Sequence, residues 1–527
     1  MTWKENGPAG NEAAKIKWEI VPWTRGKGLD LGCGPFKAFP HFRGIDSNID
    51  AQLFGIQATG ADFIIPTCEV LDDFASQSQD FIFSSHLLEH IVNWKGALEE
   101  WWRVLKQGGY LVLYVPDKHS YPKVGEKGAN VDHKWNCTQE KIIDAMKAIG
   151  GWDLVENQRR TQDDEYSLYF VFKKFSDPKI YRHSWREPKP AKTCAVVRYG
   201  AWGDTIQMSS ILPALKEEGY HVTVYTTPRG AEPIQHEPLI DRIVLQDPDQ
   251  VPNHELGPFW DYLSKKYDKF VNLSESVEGT LLAMPDRIQT KWPHDVRHSM
   301  MNRNYLEFTH ALAGVEFHRP KMRFVPSDAE KAWAKKEYVK LGAAPLIMWV
   351  IRGSSVHKVW SGGVDEKNQQ TGMDGVLGHI LQQWPNSKVV TVGDKWCQEK
   401  IEPVWAAEPR IVRRSNVWSI RRTMAMAQVC DMVIGPETGV MSAVAMEPMR
   451  KIVFMSHSSP KNLTEGWVNT ASLEPVNTPC FPCHTLHYNW SQCHQDGDNG
   501  IAKCQASITP AMVWDAIRET LDQQEAA

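Results

Sequence analysis

No stretch of this 527-residue chain approaches the roughly 18 uninterrupted apolar residues that a membrane span needs. The opening Met1-Thr2-Trp3-Lys4-Glu5-Asn6 lacks the apolar core of a secretory signal, so a soluble, cytoplasmic protein is expected. Charge of one sign is also missing: 59 Lys and Arg against 64 Asp and Glu leave a net −5. That balance disfavours a dedicated nucleic-acid binder, whose footprint is a basic patch or stripe, while leaving room for a local basic groove. Ten cysteines are too few for a secreted disulfide scaffold in a chain of this size. Tryptophan is abundant, at 22 residues; indole faces suit sugar rings but also fill cores. The length exceeds what one core accommodates, and two or three domains are expected.

The most informative stretch is Gly28-Leu29-Asp30-Leu31-Gly32-Cys33-Gly34-Pro35, an apolar strand running into a glycine turn. A second acid, Asp46, closes the next short strand, Phe42-Arg43-Gly44-Ile45. Strand, turn and acid together describe a mononucleotide-type pocket in which Asp46 can take both hydroxyls of a ribose. The third glycine of a dinucleotide fingerprint is lacking. Further along come Gly60-Ala61-Asp62-Phe63, then Asp80 to His90, then Trp102 to Leu113 around Gly108-Gly109. In this order the segments resemble class I S-adenosylmethionine-dependent methyltransferases over about residues 20–175. The resemblance implies a Rossmann-like domain binding S-adenosyl-L-methionine through Asp30, Gly32, Cys33, Gly34, Asp46, Asp62, Phe63 and Ser85. Asp62 and Phe63 would lie by the adenine. Cys33 fits the turn as a small side chain rather than a nucleophile. Glu89-His90 invites a metal or acid/base reading, but is expected to cap and pack the turn after the fourth strand. His133, in the loop opened by Pro116-Asp117, is the candidate general base. Methyl transfer from a sulfonium needs little beyond alignment, so the acceptor is not legible here.

The pattern breaks after Phe170 to Phe175. Ser176 to Lys192 carries Pro178, Pro188 and Pro190 among charges and reads as a linker. The expected boundaries are 1–178 for the first domain, 179–192 for the linker, and 193–335 and 336–527 for two halves of a second. Thr193 to Tyr199 opens new βαβ units, repeated from Pro345 to Val350 onward. Four segments, Gly200-Ala201-Trp202-Gly203-Asp204, Gly353 to Trp360, Thr391 to Asp394 and Gly435 to Ser442, resemble turns of heptosyltransferase-like enzymes, glycosyltransferase family nine. The resemblance implies a two-Rossmann GT-B fold over about 193–520 and a nucleotide-diphosphate sugar as donor. Gly203, Ser354, Lys358, Trp360, Glu437, Thr438 and Gly439 would form the donor site, with Lys358 meeting phosphate oxygens. Asp204 would take the acceptor hydroxyl's proton; its structural alternative is a helix cap. Two positions depart from the family: Glu437 stands where it has aspartate, and Ser442 where it has histidine.

Near the end, Cys480-Phe481-Pro482-Cys483 is followed by Cys493 and Cys504. A structural zinc on these four thiols is one reading, with disulfides and reduced cysteines the others. Taken together, an α/β bifunctional transferase is expected, building a methylated glycan on a glycan or glycoconjugate acceptor. The alternatives are the same chemistry on a protein or nucleic acid, or a second half that only binds sugar or serves as a scaffold. Oligomeric state is left open.

Overall fold

The computed structural model describes residues 11–49, 55, 57–162, 164–274, 293–318, 321–360, 372–498 and 500–525. The N-terminal hexapeptide discussed above lies outside them. The chain divides into two compact units, Met1–Ala191 with Leu245–Lys265, and Lys192–Val244 with Lys266–Ala527. Among the described residues no helix is long and apolar enough to cross a membrane.

In the first unit the strands are β1 (Gly28–Leu31), β2 (Arg43–Asp46), β3 (Phe63–Ile64), β4 (Gln79–Ser85), β5 (Leu105–Pro116), β6 (Trp152–Arg160), β7 (Ser167–Lys174) and β8 (Tyr181–Arg182). They form one sheet in the order β3-β2-β1-β4-β5-β7-β6-β8. The first five are mutually parallel, and β7 inserts antiparallel between β5 and β6. Leu29, Leu31, Ile82, Leu111 and Leu113 are fully buried, as parallel strands covered on both faces require. The helix Trp94–Val104 starts where the Asn93 side chain accepts from the Gly96 N–H, and it turns Ala97, Leu98, Trp101 and Trp102 inward. Parallel register brings the carboxyl ends of β1, β2 and β4 to one edge of the sheet.

Two segments depart from the boundaries read in the sequence. The proline-rich stretch is partly structured: β8 pairs beside β6, and Ser184 Oγ donates to Asp153 at 2.7 Å. Residues 245–265, expected in the second domain, pack with the first unit instead. Arg25 pairs with Asp247 at 2.8 Å, Lys17 with Glu255 at 2.7 Å, and the Gln250 amide donates to the Val21 carbonyl at 2.7 Å. These partners lie more than 200 residues apart in the chain, beyond anything local pattern could reveal.

The second unit holds two sheets. β9 (Thr193–Val197), β10 (His221–Thr226), β11 (Arg242–Leu245) and β12 (Lys269–Asn272) lie in the order β11-β10-β9-β12. β13 (Leu346–Val350), β14 (Lys388–Val392), β15 (Ile411–Arg413), β16 (Met432–Pro436), β17 (Arg450–Phe454) and β18 (Thr470–Leu473) follow the order β15-β14-β13-β16-β17-β18, all parallel. The α/β expectation of a Rossmann-like domain followed by two further parallel sheets therefore holds. Arg421, on the helix Ile420–Ala427, ties this unit together. Its guanidinium donates to both Glu330 oxygens at 2.8 and 2.7 Å and to the carbonyls of Glu232, Pro233 and Val325. Its planar fork satisfies acceptors from three separate segments at once.

Replacing Arg421 with Ala leaves the three carbonyls without this donor and Glu330 with only the Ser327 N–H and hydroxyl as partners. A loss of about 3–5 kcal/mol is expected, the usual result of removing one member of a buried ion pair. Chemical denaturation monitored by tryptophan fluorescence should show it, and Arg421→Lys should recover only part of the difference.

Candidate functional site

Three carboxylates organise the β1–β2 edge of the first unit. Asp30 is buried, and its Oδ2 accepts from the Ala38 N–H at 2.8 Å. Burial pushes its carboxyl up to about 7 despite that bond and the nearby Lys37 charge. It shapes the turn from beneath. Asp46 Oδ2 accepts from the Gly34 N–H at 2.9 Å and Oδ1 from the Asn48 N–H at 2.7 Å. Its carboxylate is therefore fixed at the mouth of the glycine turn. Asp62 accepts from the Gly44 N–H at 2.8 Å and pairs with Lys37 at 3.0 Å, bracing the loop. Gly32 has φ +71°, and a Cβ there would come within 2.9 Å of Leu87 Cβ; this position is closed to other residues. Cys33 is buried and its thiol pushed far up by burial, in keeping with a packing role. Phe63 is exposed on β3, edge-on to Phe74. At the end of β4, Ser85 Oγ is buried without a hydrogen-bond partner.

Directly after β4 the chain makes a short 3-10 turn, Leu88–His90. Glu89 is fully buried, and neither of its carboxylate oxygens has a hydrogen-bond partner. The backbone explains why it cannot leave: Lys134 N donates to the Glu89 carbonyl at 2.8 Å, and Trp135 Nε1 to the Leu88 carbonyl at 3.0 Å. The same contacts bring His133 against Glu89, with His133 Nε2 3.8 Å from Glu89 Oε1. His90 Nε2 stands 3.9 Å from that oxygen, and His86 Nδ1 3.6 Å. Burial pulls the His133 imidazole down to about 4, so it is neutral near pH 7 and a weak proton acceptor. The capping role expected for Glu89-His90 is not what the turn shows: the Glu89 side chain caps nothing.

In the second unit, the glycine turns after β9 and β16 meet. A Cβ on Gly439 would fall 2.8 Å from Trp202 Cβ and 3.1 Å from the Gly203 nitrogen. Lys358 comes to the same place from the loop after β13. A Cβ on Gly353 would sit 3.0 Å from Lys358 Cβ and 3.2 Å from Thr438 Cγ2. Burial lowers the Lys358 ammonium from its ordinary value, while Glu437 and Asp204 oppose that shift. Thr438 Oγ1 is buried here without a partner. Asp204 is fully engaged, with Oδ2 accepting from the Ala201 N–H at 2.6 Å and Oδ1 2.9 Å from Arg198. The N-cap of this helix is Ala201, and Asp204 reaches back to its N–H from the third helical position. Ser354 is exposed at the tip of the Arg352–Val359 loop.

Two expected donor-site residues are buried and bonded within the protein. Trp360 is buried in the core against Trp349 and Phe454, with Nε1 donating to the Ile508 carbonyl at 2.8 Å. Glu437 Oε2 lies 2.7 Å from His457 Nδ1, and Oε1 accepts from the Ser456 N–H at 2.6 Å. Burial pushes its carboxyl up, but His457, Lys358 and the Ser456 N–H outweigh it and hold the group at about 2. His457 and His357, 3.3 Å apart, were not legible as site residues, because no motif spans the 100 positions between them. All four C-terminal thiols are free. Among the described residues the one set of three or more ligand atoms within 4.8 Å of each other is Glu89, His90 and His133. The four thiols, for which a zinc site is one of three readings, do not form such a set among the described residues; Cys483 Sγ donates to the Thr485 carbonyl at 3.6 Å.

Residues 29–113 match the family model described as a methyltransferase domain, so the first unit carries a methyltransferase domain. No curated protein sequence matches the chain. Similar solved structures include the glycosyl transferase family 9 protein of Veillonella parvula DSM 2008, at 14% identity and TM-score 0.45, covering 63% of this chain and 98% of that one. The ADP-heptose heptosyltransferase II of E. coli is similar at 14% identity and TM-score 0.43, covering 63% of this chain and 99% of its own. The YcgJ protein of Bacillus subtilis is similar at 14% identity and TM-score 0.24, over 32% of this chain and all (100%) of that one.

Glu437 gives a pH test. A carboxyl at about 2 when folded, against an ordinary 4.5, contributes stability that is present above pH 4.5 and lost as pH falls towards 2. Glu437→Gln should cost about 1–3 kcal/mol at pH 7 and should flatten the decline in melting temperature on acidification. Melting curves of both proteins between pH 7 and pH 3 would check it; parallel declines would take Glu437 out of the account.

Proposed function

We propose that the chain is a bifunctional transferase, with an S-adenosyl-L-methionine-dependent methyltransferase in its first unit and a nucleotide-sugar glycosyltransferase in its second. For the first unit the carrying observation is the fixed Asp46 carboxylate at the glycine turn, within the span matched to a methyltransferase domain. Asp46 retains lone pairs for the ribose hydroxyls, and Ser85 Oγ lacks a partner at the neighbouring strand end. S-adenosyl-L-methionine supplies an activated methyl group. The chain's share of the work is to hold the cofactor, exclude water and aim the acceptor.

For the second unit the carrying observation is the convergence of Lys358, the orphaned Thr438 hydroxyl and the closely apposed Gly203 and Gly439 turns. Backbone that approaches this closely offers N–H groups to a diphosphate, and the lysine offers charge as the leaving group gains it. The shared acceptor would be a glycan or glycoconjugate, with sugar added by one unit and methylated by the other. One observation favours a second reading, a sugar-binding or scaffold module: both Asp204 oxygens are taken up by Arg198 and the Ala201 N–H.

Asp46→Ala in the full chain should weaken S-adenosyl-L-methionine binding by about 1.5–3 kcal/mol, the worth of lost charge-assisted bonds. Isothermal titration with unchanged affinity would remove Asp46 from the site.

In the second unit, Lys358→Ala should weaken nucleotide-sugar binding and turnover together. Asp204→Asn should leave donor binding intact while cutting turnover by about 10²–10⁴-fold if the carboxylate is the base. Full turnover in Asp204→Asn would leave Asp204 a helix cap, and no transfer by the parent protein would favour the binding module.

A further inference from the structure

We propose that Glu89, His90 and His133 form a binding site for one divalent transition-metal ion at the β4 edge of the methyltransferase domain. Glu89 is the starting point. A carboxylate with no exposure and no hydrogen bond to either oxygen is costly to keep in a folded protein. Evolution removes such groups unless something answers them. The imidazole nitrogens around it do not do so by hydrogen bonding, since 3.8 Å for His133 and 3.9 Å for His90 are too long. Those separations instead suit donors gathered around an ion. Bonds of about 2.0–2.2 Å to a single centre place its ligands about 3.0–3.5 Å apart, so the two Glu89 contacts would close by less than about 1 Å. One oxygen of Glu89 and one nitrogen from each histidine already lie within 4.8 Å of each other.

The surroundings orient these donors. His90 Nδ1 lies 2.9 Å from Asp132 Oδ2, so Nδ1–H donates to that carboxylate and Nε2 is left as the free lone pair facing Glu89. This carboxylate–histidine pairing is the usual arrangement behind a metal-bound imidazole. Asp132 is itself held by Lys134 Nζ at 2.7 Å. His86 Nδ1, at 3.6 Å from the same Glu89 oxygen, stands outside the three-donor set, with its Nε2 engaged by Ser167 Oγ at 2.9 Å. Two imidazoles and a carboxylate favour zinc, iron, cobalt or manganese over magnesium or calcium. Three protein ligands leave coordination positions for water or a substrate oxygen. Leu87, two residues before Glu89, packs on Gly32, so the site lies beside the glycine turn described above. A role for the ion in seating an oxygen of the methyl acceptor rests on the methyltransferase reading; the metal site itself does not.

The test uses full-length protein stripped with chelator and titrated with Co(II). The parent protein should take up one ion with weak d–d absorption and no thiolate charge-transfer band. Glu89→Gln keeps shape while removing the buried charge, so it should fold, by circular dichroism and melting, and bind at least about 100-fold more weakly. Asp132→Asn should weaken binding by about 10–100-fold through His90 orientation alone. A Cys480→Ser/Cys483→Ser double variant should bind this ion as the parent does. Should Glu89→Gln fail to fold, His133→Ala on the covering loop provides the same comparison. Absence of non-thiolate Co(II) uptake by the parent would overturn the proposal. So would undiminished uptake in folded Glu89→Gln or His133→Ala, or loss confined to the cysteine variant.

Discussion

A carboxylate taken out of water has to be met by donors or positive charge, and much of this structure is arranged around that requirement. Glu330 is answered by Arg421, whose other donor sites bind three carbonyls from two segments, Glu232-Pro233 and Val325. Glu437 is answered by His457, Lys358 and the Ser456 N–H, which fixes the loop after β17 against the turn after β16. Asp30 is answered by the Ala38 N–H and the nearby Lys37 charge, which burial outweighs, pushing it towards its neutral form. Glu89 is answered by no hydrogen bond at all. The series runs from structural clamps to a group whose environment makes sense with an ion bound.

Parallel strands explain where these groups gather. Every strand of β1 to β5, and every strand of the six-stranded sheet, delivers its carboxyl end to one edge. Loops leaving that edge carry Gly32, Asp46, Ser85 and Glu89 in the first unit, and Lys358 and Thr438 in the second. The scaffold beneath is rigid because both sheet faces are covered, so loops can hold unsatisfied groups that a core could not tolerate. Ser85 Oγ and Thr438 Oγ1 are such groups, each one buried at a strand end and lacking a partner.

Much of the fold was legible along the chain. The apolar run into Asp-x-Gly-x-Gly gave β1 and its turn, and the acid closing the next strand gave Asp46, whereas the paired glycines at 108 and 109 lie inside β5 at an irregularity in its pairing with β4. Trp360 misled because an indole next to a lysine reads equally as ligand contact or core; its volume packs on Trp349 and Phe454. Glu437 bonds to His457 and Ser456, partners about 20 residues away that its own turn does not reveal. The Cys-x-x-Cys spacing showed that thiols could approach, while their actual separation is set by the path of the intervening loop.

What the sequence determined by itself is local: strand periods, glycines where backbone must approach backbone, and acids at strand ends. Those signals act over a few residues, so they survive reading in one dimension. The tertiary structure decided which distant groups meet. His133 reaches Glu89 across 44 positions only because Lys134 and Trp135 bond the β4 turn. Residues 245–265 join the first unit through Asp247, Gln250 and Glu255, partners that no window of sequence contains together. Charge pairing and desolvation depend on distance and burial in space, and those two quantities are defined only once the chain has folded.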